Sequence, residues 1–330
     1  MSWKRLQDKK LQKRLRIRAR VVQAIRGFFV KEGFLEVETP VFTPYAGQEP
    51  YLNPFKTECA DEQGRKHHGY LITSPEYAHK KLLAAGFKKT FEITRAFRAG
   101  EHFGGLHNPE FTILEWYRAH ADYTKIMEDV EKMAAYIITS LKQENIKTIE
   151  YQGKGIDFSP PWERLTVREA FKKYADADLD EVQADDTFFK IFLTQIEPKL
   201  GLTKPTILYE YPARMAALAR IKAAKQQNNR TADVAERFEL YIAGMELANA
   251  FSELTDAQKQ RVRFLSEQKM RKKLGKKVIP LDEDFLEAVG CMPPSAGIAL
   301  GVDRLVMLLT NAKNIEEVLT FPAKELWGLS

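Results

Sequence analysis

Residues 97–118, FRAGEHFGGLHNPEFTILEWYR, combine side chains that can hold a nucleoside triphosphate with side chains that can hold an amine. The strand-like alternation before them ends on Arg98, whose planar guanidinium suits phosphate or carboxylate. A loop over 99–108, with three glycines and two histidines, separates it from a second strand-like run. Phe111, Glu115 and Tyr117 share one face of that run, since alternate residues of a strand point the same way. We expect a base to stack on Phe111 and an ammonium to bind Glu115 and Tyr117, which indicates ATP and a cationic substrate.

Two later segments also carry residues suited to this chemistry. Residues 236–256 alternate on both sides of Ala243 and a glycine, which predicts a hairpin with Glu239 and Glu246 on facing strands. Neighbouring carboxylates repel unless a cation lies between them, and Mg²⁺ bridging ATP phosphates is the natural one. By spacing alone, two unrelated surface glutamates remain the simpler interpretation. Residues 295–308 alternate, contain two glycines and pass into a predicted helix near Asp303, with Arg304 at its start.

Capping residues and apolar periodicity predict two helices. Ser74 is predicted as the cap of a helix, Pro75 as its first residue and Glu76 as a carboxylate near the positive end of its dipole. This helix should run to residue 85 and end at Gly86. Apolar residues at three- and four-residue steps predict another helix from about residue 14, which ends at Gly33.

Composition indicates a soluble enzyme. The chain has 330 residues, of which 44% are hydrophobic and 29% charged, enough for a sizeable core. Neither an 18-residue apolar run nor a secretion signal is present, so we predict a cytoplasmic protein without a membrane segment. Cys59 and Cys291 lack metal-ligand spacing and are predicted to be reduced, structural thiols, with no zinc site.

The net charge of +6 is concentrated at the start of the chain. Residues 1–20 contain nine Lys and Arg residues against Asp8, a local charge of +8 that leaves the other 310 residues at −2. Either this segment is a solvated helix face, or it attracts an acidic macromolecule, nucleic acid or protein. Charge alone does not choose between them.

The whole pattern resembles the class II aminoacyl-tRNA synthetases, and within them the lysyl type. Residues 97–118 are similar to motif 2, residues 295–308 to motif 3, and the helix with GFLEVETP at 33–40 to motif 1, whose closing proline is matched by Pro40. The resemblance implies an α+β fold, a mainly antiparallel sheet flanked by helices, in a single catalytic domain over 1–330. Residues 1–32 would be a basic N-terminal helix, and about 141–206 an insertion between motifs 2 and 3, with a capping box at Thr166 and Glu169 but no visible chemistry. Motif 1 implies a homodimer.

The resemblance also assigns roles. Arg98 would contact the α-phosphate and the amino acid carboxylate, while Arg304 and Mg²⁺ contact the outer phosphates. The other residues that it places at ATP, the metal or the amino acid are Glu101, His107 and Phe111 at ATP, Glu239 at ATP and the metal, Glu246 at the metal, and Glu76, Glu115, Tyr117, Asn249, Phe251, Glu253 and Ala299 at the amino acid. Glu76 would hold the amino group, Asn249 the carboxylate, and Glu253 the side-chain ammonium beside Glu115. The motif 2 loop is one residue longer than the lysyl pattern, and Ala250 replaces a glycine.

Two features limit which amino acids the predicted site would accept. Buried glutamates around one ammonium select for an amine, since an uncharged analogue would leave them unpaired. Ala299 stands where the lysyl type has glycine, and its methyl group makes the chain similar to truncated paralogues that attach (R)-β-lysine to a lysine of translation elongation factor P. Motif 1 lies so early that we expect no anticodon-binding domain, and the factor, an acidic tRNA mimic, would suit the +8 segment better than tRNA. The general base for transfer is not visible in the sequence.

Two alternatives remain. A minimal synthetase would charge tRNA with lysine and use the basic helix on RNA. A non-catalytic regulatory paralogue would be expected to have lost phosphate or metal ligands, yet Arg98, Glu239, Glu246 and Arg304 are all present.

Overall fold

The computed structural model describes residues 3–141, 148–225 and 231–329. Its helices are α1 (Lys9–Lys31), α2 (Glu76–Ala84), α3 (Tyr123–Leu141), α4 (Val167–Ala175), α5 (Asp185–Ile191), α6 (Ala257–Lys273), α7 (Glu283–Cys291), α8 (Val302–Leu309) and α9 (Ala323–Leu326). Its strands are β1 (Leu35–Glu36), β2 (Phe42–Thr43), β3 (Lys56–Ala60), β4 (Lys66–Leu71), β5 (Lys89–Phe97), β6 (Glu110–Ala119), β7 (Thr148–Tyr151), β8 (Lys154–Asp157), β9 (Glu163–Thr166), β10 (Thr206–Pro212), β11 (Ile221–Lys225), β12 (Thr231–Ile242), β13 (Met245–Ser252) and β14 (Ser295–Gly301).

Within the described ranges, nine strands form one large sheet in the order β1-β5-β6-β14-β13-β12-β10-β9, with β11 paired to β12. The β1–β5 and β9–β10 pairs are parallel and the others are antiparallel. Smaller sheets join β2, β4 and β3, and β7 with β8. The predicted α+β architecture, a mainly antiparallel sheet flanked by helices, is confirmed. The division into a catalytic domain with an insertion stays a prediction.

The two faces of the large sheet have different environments. Trp116 lies opposite Ile298, which lies opposite Ala250, and all three are buried in an apolar core with residues of α1, α3 and α8. From α1, Phe29 stacks on Phe91 of β5 at 4.7 Å between ring centres. Because side chains alternate along a strand, the intervening residues of these strands point to the opposite face.

Most local sequence signals form the elements that they predict. Asp8 caps α1, which therefore begins earlier than predicted, and Gly33 follows it with a φ of 75°. The turn between β12 and β13 has positive φ angles at Ala243 and Gly244, as a tight hairpin requires. The capping box at Thr166 is also present.

Two expectations need correction. Pro75 precedes α2 instead of opening it, and Ser74 accepts a hydrogen bond from the Glu76 amide. Cys59 and Cys291 are free but exposed, so they are not packed structural thiols. Strand β9, which lies in the segment predicted as an insertion, extends the main sheet beside β10. None of the described helices is both long and apolar enough to cross a membrane.

The basic N-terminal segment divides into two groups. Four arginines contact the rest of the protein. Arg14, Arg18 and Arg5 form ion pairs with Glu317, Asp303 and Glu325, respectively. Arg5 also donates hydrogen bonds to the carbonyls of Leu319 and Thr320, and Arg20 donates to those of Ser140 and Leu141. Lys9, Lys10, Lys13 and Arg16 are exposed. Much of the +8 charge therefore holds α1 in place, and only part of it faces solvent.

Arg18 links α1 to strand β6 and helix α8 at the site. It lies 2.5 Å from a carboxylate oxygen of Asp303 and donates to the Thr112 hydroxyl at 2.8 Å. The other Asp303 oxygen accepts from the Thr112 amide at 2.7 Å. Since Asp303 is buried and adjacent to Arg304, this network fixes the start of α8.

We expect Arg18→Met to lower the free energy of unfolding by about 3 kcal/mol, because it leaves the buried Asp303 carboxylate without its charge partner. Denaturant unfolding measures this change. Arg16→Met, an exposed change on the same helix, serves as the control and should cost less than about 0.5 kcal/mol. Equal effects of the two substitutions would contradict the structural role of Arg18.

Candidate active site

A cavity of about 750 Å³ lies over the face of the large sheet that points away from the apolar core. The predicted site residues that line it are Glu76, Arg98, Glu101, His107, Phe111, Glu239, Glu246, Asn249, Phe251, Ala299 and Arg304. They come from segments far apart in the chain. Glu115, Tyr117 and Glu253 do not reach the lining and are buried beside it.

The first end of the cavity carries two arginines. The guanidinium of Arg98 lies 4.9 Å from the centre of the Phe111 ring and covers one face of it. Its Nε is buried without a hydrogen-bond partner among the described residues. Arg304 donates to the carbonyl oxygens of Glu246 at 2.7 Å and Leu106 at 3.4 Å. An unpartnered buried donor beside a fixed second arginine suits an anionic ligand.

The motif 2 loop contributes one histidine–carboxylate contact here. His107 Nδ1 and a Glu101 oxygen are 2.8 Å apart, and both residues line the cavity. Burial and the charge of Arg304 lower the pKa of His107, although Glu101 opposes them. The structure therefore brings both predicted loop residues to the arginine end.

The two predicted metal ligands differ in their surroundings. Glu239 accepts hydrogen bonds from the Tyr211 and Tyr241 hydroxyls, at 2.5 Å each, and pairs with Arg237. Glu246 has no such side-chain donor among the described residues, and burial raises its pKa to about 7, with Glu239 adding to the effect.

A cation would relieve this repulsion, so Glu246 fits Mg²⁺. Glu239 fits less well, because its oxygens are already engaged by Arg237 and the tyrosines. The described residues offer no group of three or more His, Cys, Asp or Glu side chains arranged to hold a metal. Mg²⁺ commonly uses one or two carboxylates and completes its shell with phosphate oxygens and water.

Strand register builds the floor of the cavity. Ala299 of β14 pairs with Asn249 of β13 on one side and Glu115 of β6 on the other. The Asn249 Oδ1 atom is buried without a hydrogen-bond partner among the described residues. Asn249 and Ala299 both line the cavity, so a ligand on this floor contacts an amide and a methyl group.

The cross-strand neighbours of position 297 on β14 show why a glycine is required there. Gly297 lies between Phe251 and Tyr117. A Cβ atom at Gly297 would come within 2.2 Å of the Tyr117 ring, which fills that space and stacks on His79 at 4.8 Å. The tyrosine is thereby fixed under the floor.

The second end of the cavity is acidic. Glu115 accepts hydrogen bonds from the Ser74 hydroxyl at 2.6 Å and the Tyr117 hydroxyl at 2.8 Å. Burial raises the pKa of Glu115 to about 8, and the Glu76 carboxylate adds to this effect. An ammonium is the ligand that would restore its charge.

Glu253 forms an ion pair with Lys80, a residue that the sequence analysis did not identify. The fully buried Lys80 Nζ lies 2.6 Å from Glu76 and 2.7 Å from Glu253. Burial alone would lower the pKa of Lys80, but the two carboxylates raise it above its ordinary value. Lys80 thus pairs with both carboxylates, and a direct contact between Glu253 and a substrate ammonium stays a prediction.

Other lining residues also escaped the sequence analysis. The four-residue spacing of Glu76 and Lys80 on a helix was a usable signal for that pair. No local signal marks Glu49, before β3, or Glu267 of α6, which both line the cavity. The segment predicted to lack chemistry, about 141–206, contributes Asp185 and Phe189 of α5. Arg214 and Arg237, which lie beyond that segment, also line the cavity.

Comparison with known proteins agrees with this geometry. The chain is 40% identical over 315 residues to the elongation factor P--(R)-beta-lysine ligase of Mannheimia succiniciproducens, covering 94% of each protein. It is 38% identical over 312 residues to the ligase of the same name from Hamiltonella defensa, covering 93% of this chain and 94% of that protein. A third ligase of this name, from Salmonella paratyphi B, is 38% identical over 311 residues, with 92% and 93% covered. The family model described as tRNA synthetases class II (D, K and N) matches residues 1–325, and the chain therefore belongs to the class II tRNA synthetase family.

Proposed function

We propose that this enzyme activates (R)-β-lysine with ATP and transfers it to a lysine side chain of elongation factor P. The similar proteins are named for that reaction and are matched along nearly their whole length. The observation that carries the proposal is one cavity with a cationic end at Arg98 and Arg304 and an acidic end at Glu76, with Glu115 buried beside it. A diamino acid bound to the acidic end extends its carboxylate toward ATP at the arginines.

Activation is attack by the amino acid carboxylate on the α-phosphate of ATP, which forms an adenylate and releases pyrophosphate. Arg98 holds the carboxylate and α-phosphate, Phe111 contacts adenine, and Arg304 binds the outer phosphates with His107 and Glu101 on the same side. Glu246, with Glu239 behind it, would hold Mg²⁺, which neutralises phosphate charge when bound. Positioning and charge neutralisation supply most of the rate in such reactions.

Ala299 supports β-lysine over α-lysine. It lies between Asn249 and Glu115 on the floor, so its methyl group takes space next to the groups that hold the substrate carboxylate and ammonium. In a closely packed pocket one methyl group shifts selectivity by about 1–3 kcal/mol.

Lys80 balances charge at the acidic end. Glu76, Glu115 and Glu253 are three buried or partly buried carboxylates, and Lys80 cancels one of their charges. The remaining two suit the two ammonium groups of a lysine-type amino acid. Glu253 therefore serves the substrate through Lys80, which holds Glu76 in place.

The exposed side chains support two proposed partners, an acidic protein and a second copy of the chain. The exposed Lys9, Lys10, Lys13 and Arg16 suit an acidic protein, and the factor's role in translation places the enzyme in the cytoplasm. For a homodimer, the motif 1 region offers the short edge strand β1 and exposed apolar side chains: Val30, Leu35 and Val41 are 64%, 50% and 38% exposed.

The central experiment gives the enzyme ATP with (R)-β-lysine or L-lysine, together with elongation factor P or tRNA. We expect pyrophosphate release with (R)-β-lysine and a mass gain of one β-lysyl group on the factor. Charging of tRNA without modification of the factor would contradict the proposal.

We expect Ala299→Gly to shift the ratio of kcat/KM for (R)-β-lysine over L-lysine about 10-fold or more toward L-lysine, since space opens at the floor. Pyrophosphate exchange measures both values. Ala296→Gly removes a methyl group from the same strand on its core face and should leave the ratio as it is. An unchanged ratio in Ala299→Gly would remove the role assigned to that methyl.

Lys80→Met and Glu253→Gln should each destabilise the fold by about 3–5 kcal/mol, since each breaks a buried ion pair. The double variant should lose less than the sum, with a coupling of about 1–3 kcal/mol measured by denaturant unfolding. The double variant should also recover amino acid affinity relative to Glu253→Gln. Lys88→Met, at an exposed position just beyond α2, is the control. Additive losses, or no recovery of affinity, would restore a direct substrate contact for Glu253.

A further inference from the structure

Two glutamates outside all the motifs line the cavity, Glu49 and Glu267. Helix α6 is tied to the segment that carries Glu49. Arg271 donates to the carbonyls of Glu49 at 2.9 Å and Leu52 at 3.0 Å, and Gln268 donates to the Gln48 side chain at 3.4 Å. These bonds hold the two carboxylates in one wall.

This wall contains buried polar atoms that other side chains do not satisfy. One Glu49 oxygen and the Tyr77 hydroxyl are shielded from solvent and have no side-chain hydrogen-bond partner among the described residues. The Tyr77 ring is fixed by stacking on Phe285, with centres 3.9 Å apart. Burial raises the pKa of Tyr77 well above its ordinary value, and the charges of Glu49, Glu76 and Glu267 all add to the effect.

The carboxylates also perturb each other. Burial raises the pKa of Glu267 to about 8, with Glu49 and Glu76 adding to it and Arg263 opposing it. Burial raises the pKa of Glu49 as well, and Glu76 adds to this while Arg98 and Lys80 oppose it. Among the described residues, neither Glu49 nor Glu267 forms a salt bridge with a Lys or Arg side chain. Such a pair favours a positively charged guest, because an ammonium restores the charge of both groups.

The position of Glu49 and Glu267 indicates which of the two amines they bind, that of the amino acid or that of the acceptor. The amino acid has its own acidic end, with Ser74, Glu76 and Glu115. Glu49 instead lies close enough to Arg98 to feel its charge, and Arg98 is the residue proposed to hold the carboxylate that becomes activated. A second amine in this wall would approach that carboxyl carbon.

We propose that Glu49 and Glu267 form a subsite for the ammonium of the acceptor lysine, and that Glu267 accepts the proton which this ammonium loses before it attacks the adenylate. The inference rests on the proposed function and supplies the general base that the sequence does not show.

Transfer is a nucleophilic attack of the acceptor amine on the adenylate. The acceptor ammonium gives one proton to the Glu267 carboxylate, and the freed nitrogen lone pair attacks the carbonyl carbon of the adenylate. The new C–N bond forms while the bond from that carbon to the bridging oxygen of AMP breaks, and its electron pair leaves with AMP. The nitrogen loses its second proton to solvent, and Glu267 later releases the first.

A base of this kind gives transfer a pH dependence. Only the ionised Glu267 accepts a proton, so transfer rises as the pH rises through the pKa of this group. The charged and titratable groups that influence Glu267 and Glu49 from the surrounding elements are Glu76, Tyr77, Lys80, Arg98, Arg263 and Arg271.

The experiment separates the two half-reactions in the full-length enzyme. Adenylate formation is followed as pyrophosphate release from ATP and (R)-β-lysine without acceptor. Transfer is followed in a single turnover, as mass gain on added elongation factor P between pH 6 and 9. The variants are Glu267→Gln, Glu267→Asp and Glu49→Gln, with Glu287→Gln on the exposed face of α7 as the matched control.

We expect Glu267→Gln to lower the ratio of transfer rate to adenylate-formation rate about 100-fold, a typical contribution of a general base, and to lose the rise with pH. Glu267→Asp should recover at least about ten-fold over Gln, Glu49→Gln should raise the KM for the factor, and the control should match the wild type. A wild-type ratio and pH profile in Glu267→Gln would overturn the inference, as would equal loss of both half-reactions. If the wild-type enzyme forms no adenylate, the proposed function itself is contradicted. This outcome is measured on the wild-type enzyme alone, so it is distinct from failure of the inference about Glu267.

Discussion

The register of β6, β14, β13 and β12 is the constraint on which the site depends. Side chains alternate between two faces of these strands, so one register puts Trp116, Ile298 and Ala250 into the core and Glu115, Ala299 and Asn249 toward the cavity. A slip of one residue would exchange the two sets and place carboxylates among aromatic rings. Burial of the apolar face therefore fixes the functional face as well.

The site also depends on opposite charges kept apart in one cavity. Arg98 and Arg304 form the cationic end, and Glu76, with the buried Glu115 beside it, forms the acidic end. The charge of a buried carboxylate is costly until a ligand of opposite sign arrives, and burial accordingly raises the pKa of Glu115. This arrangement suits a molecule with an anionic group at one end and an ammonium group at the other.

Helix α1 shows how one segment serves two purposes. Its Arg14 and Arg18 reach inward, and Arg18 joins Asp303 to Thr112 at the start of α8, next to Arg304. Its lysines and Arg16 remain in solvent. The same basic composition therefore stabilises the cationic end of the cavity and leaves a positively charged surface.

By itself the sequence determined the antiparallel hairpins, the helix caps and the family motifs, because these depend on short-range periodicity and on spacings of a few residues. It also placed Arg98, Phe111, Asn249, Ala299 and Arg304 in one site, because long motifs carry that information. Their partners were decided only by the tertiary structure. Glu253 pairs with Lys80 and Glu239 with Arg237, while Glu49 and Glu267 come together from elements more than 200 residues apart. Contacts between distant segments leave no local pattern, since they follow from how helices pack on the sheet, and the charge of a buried group depends on those contacts.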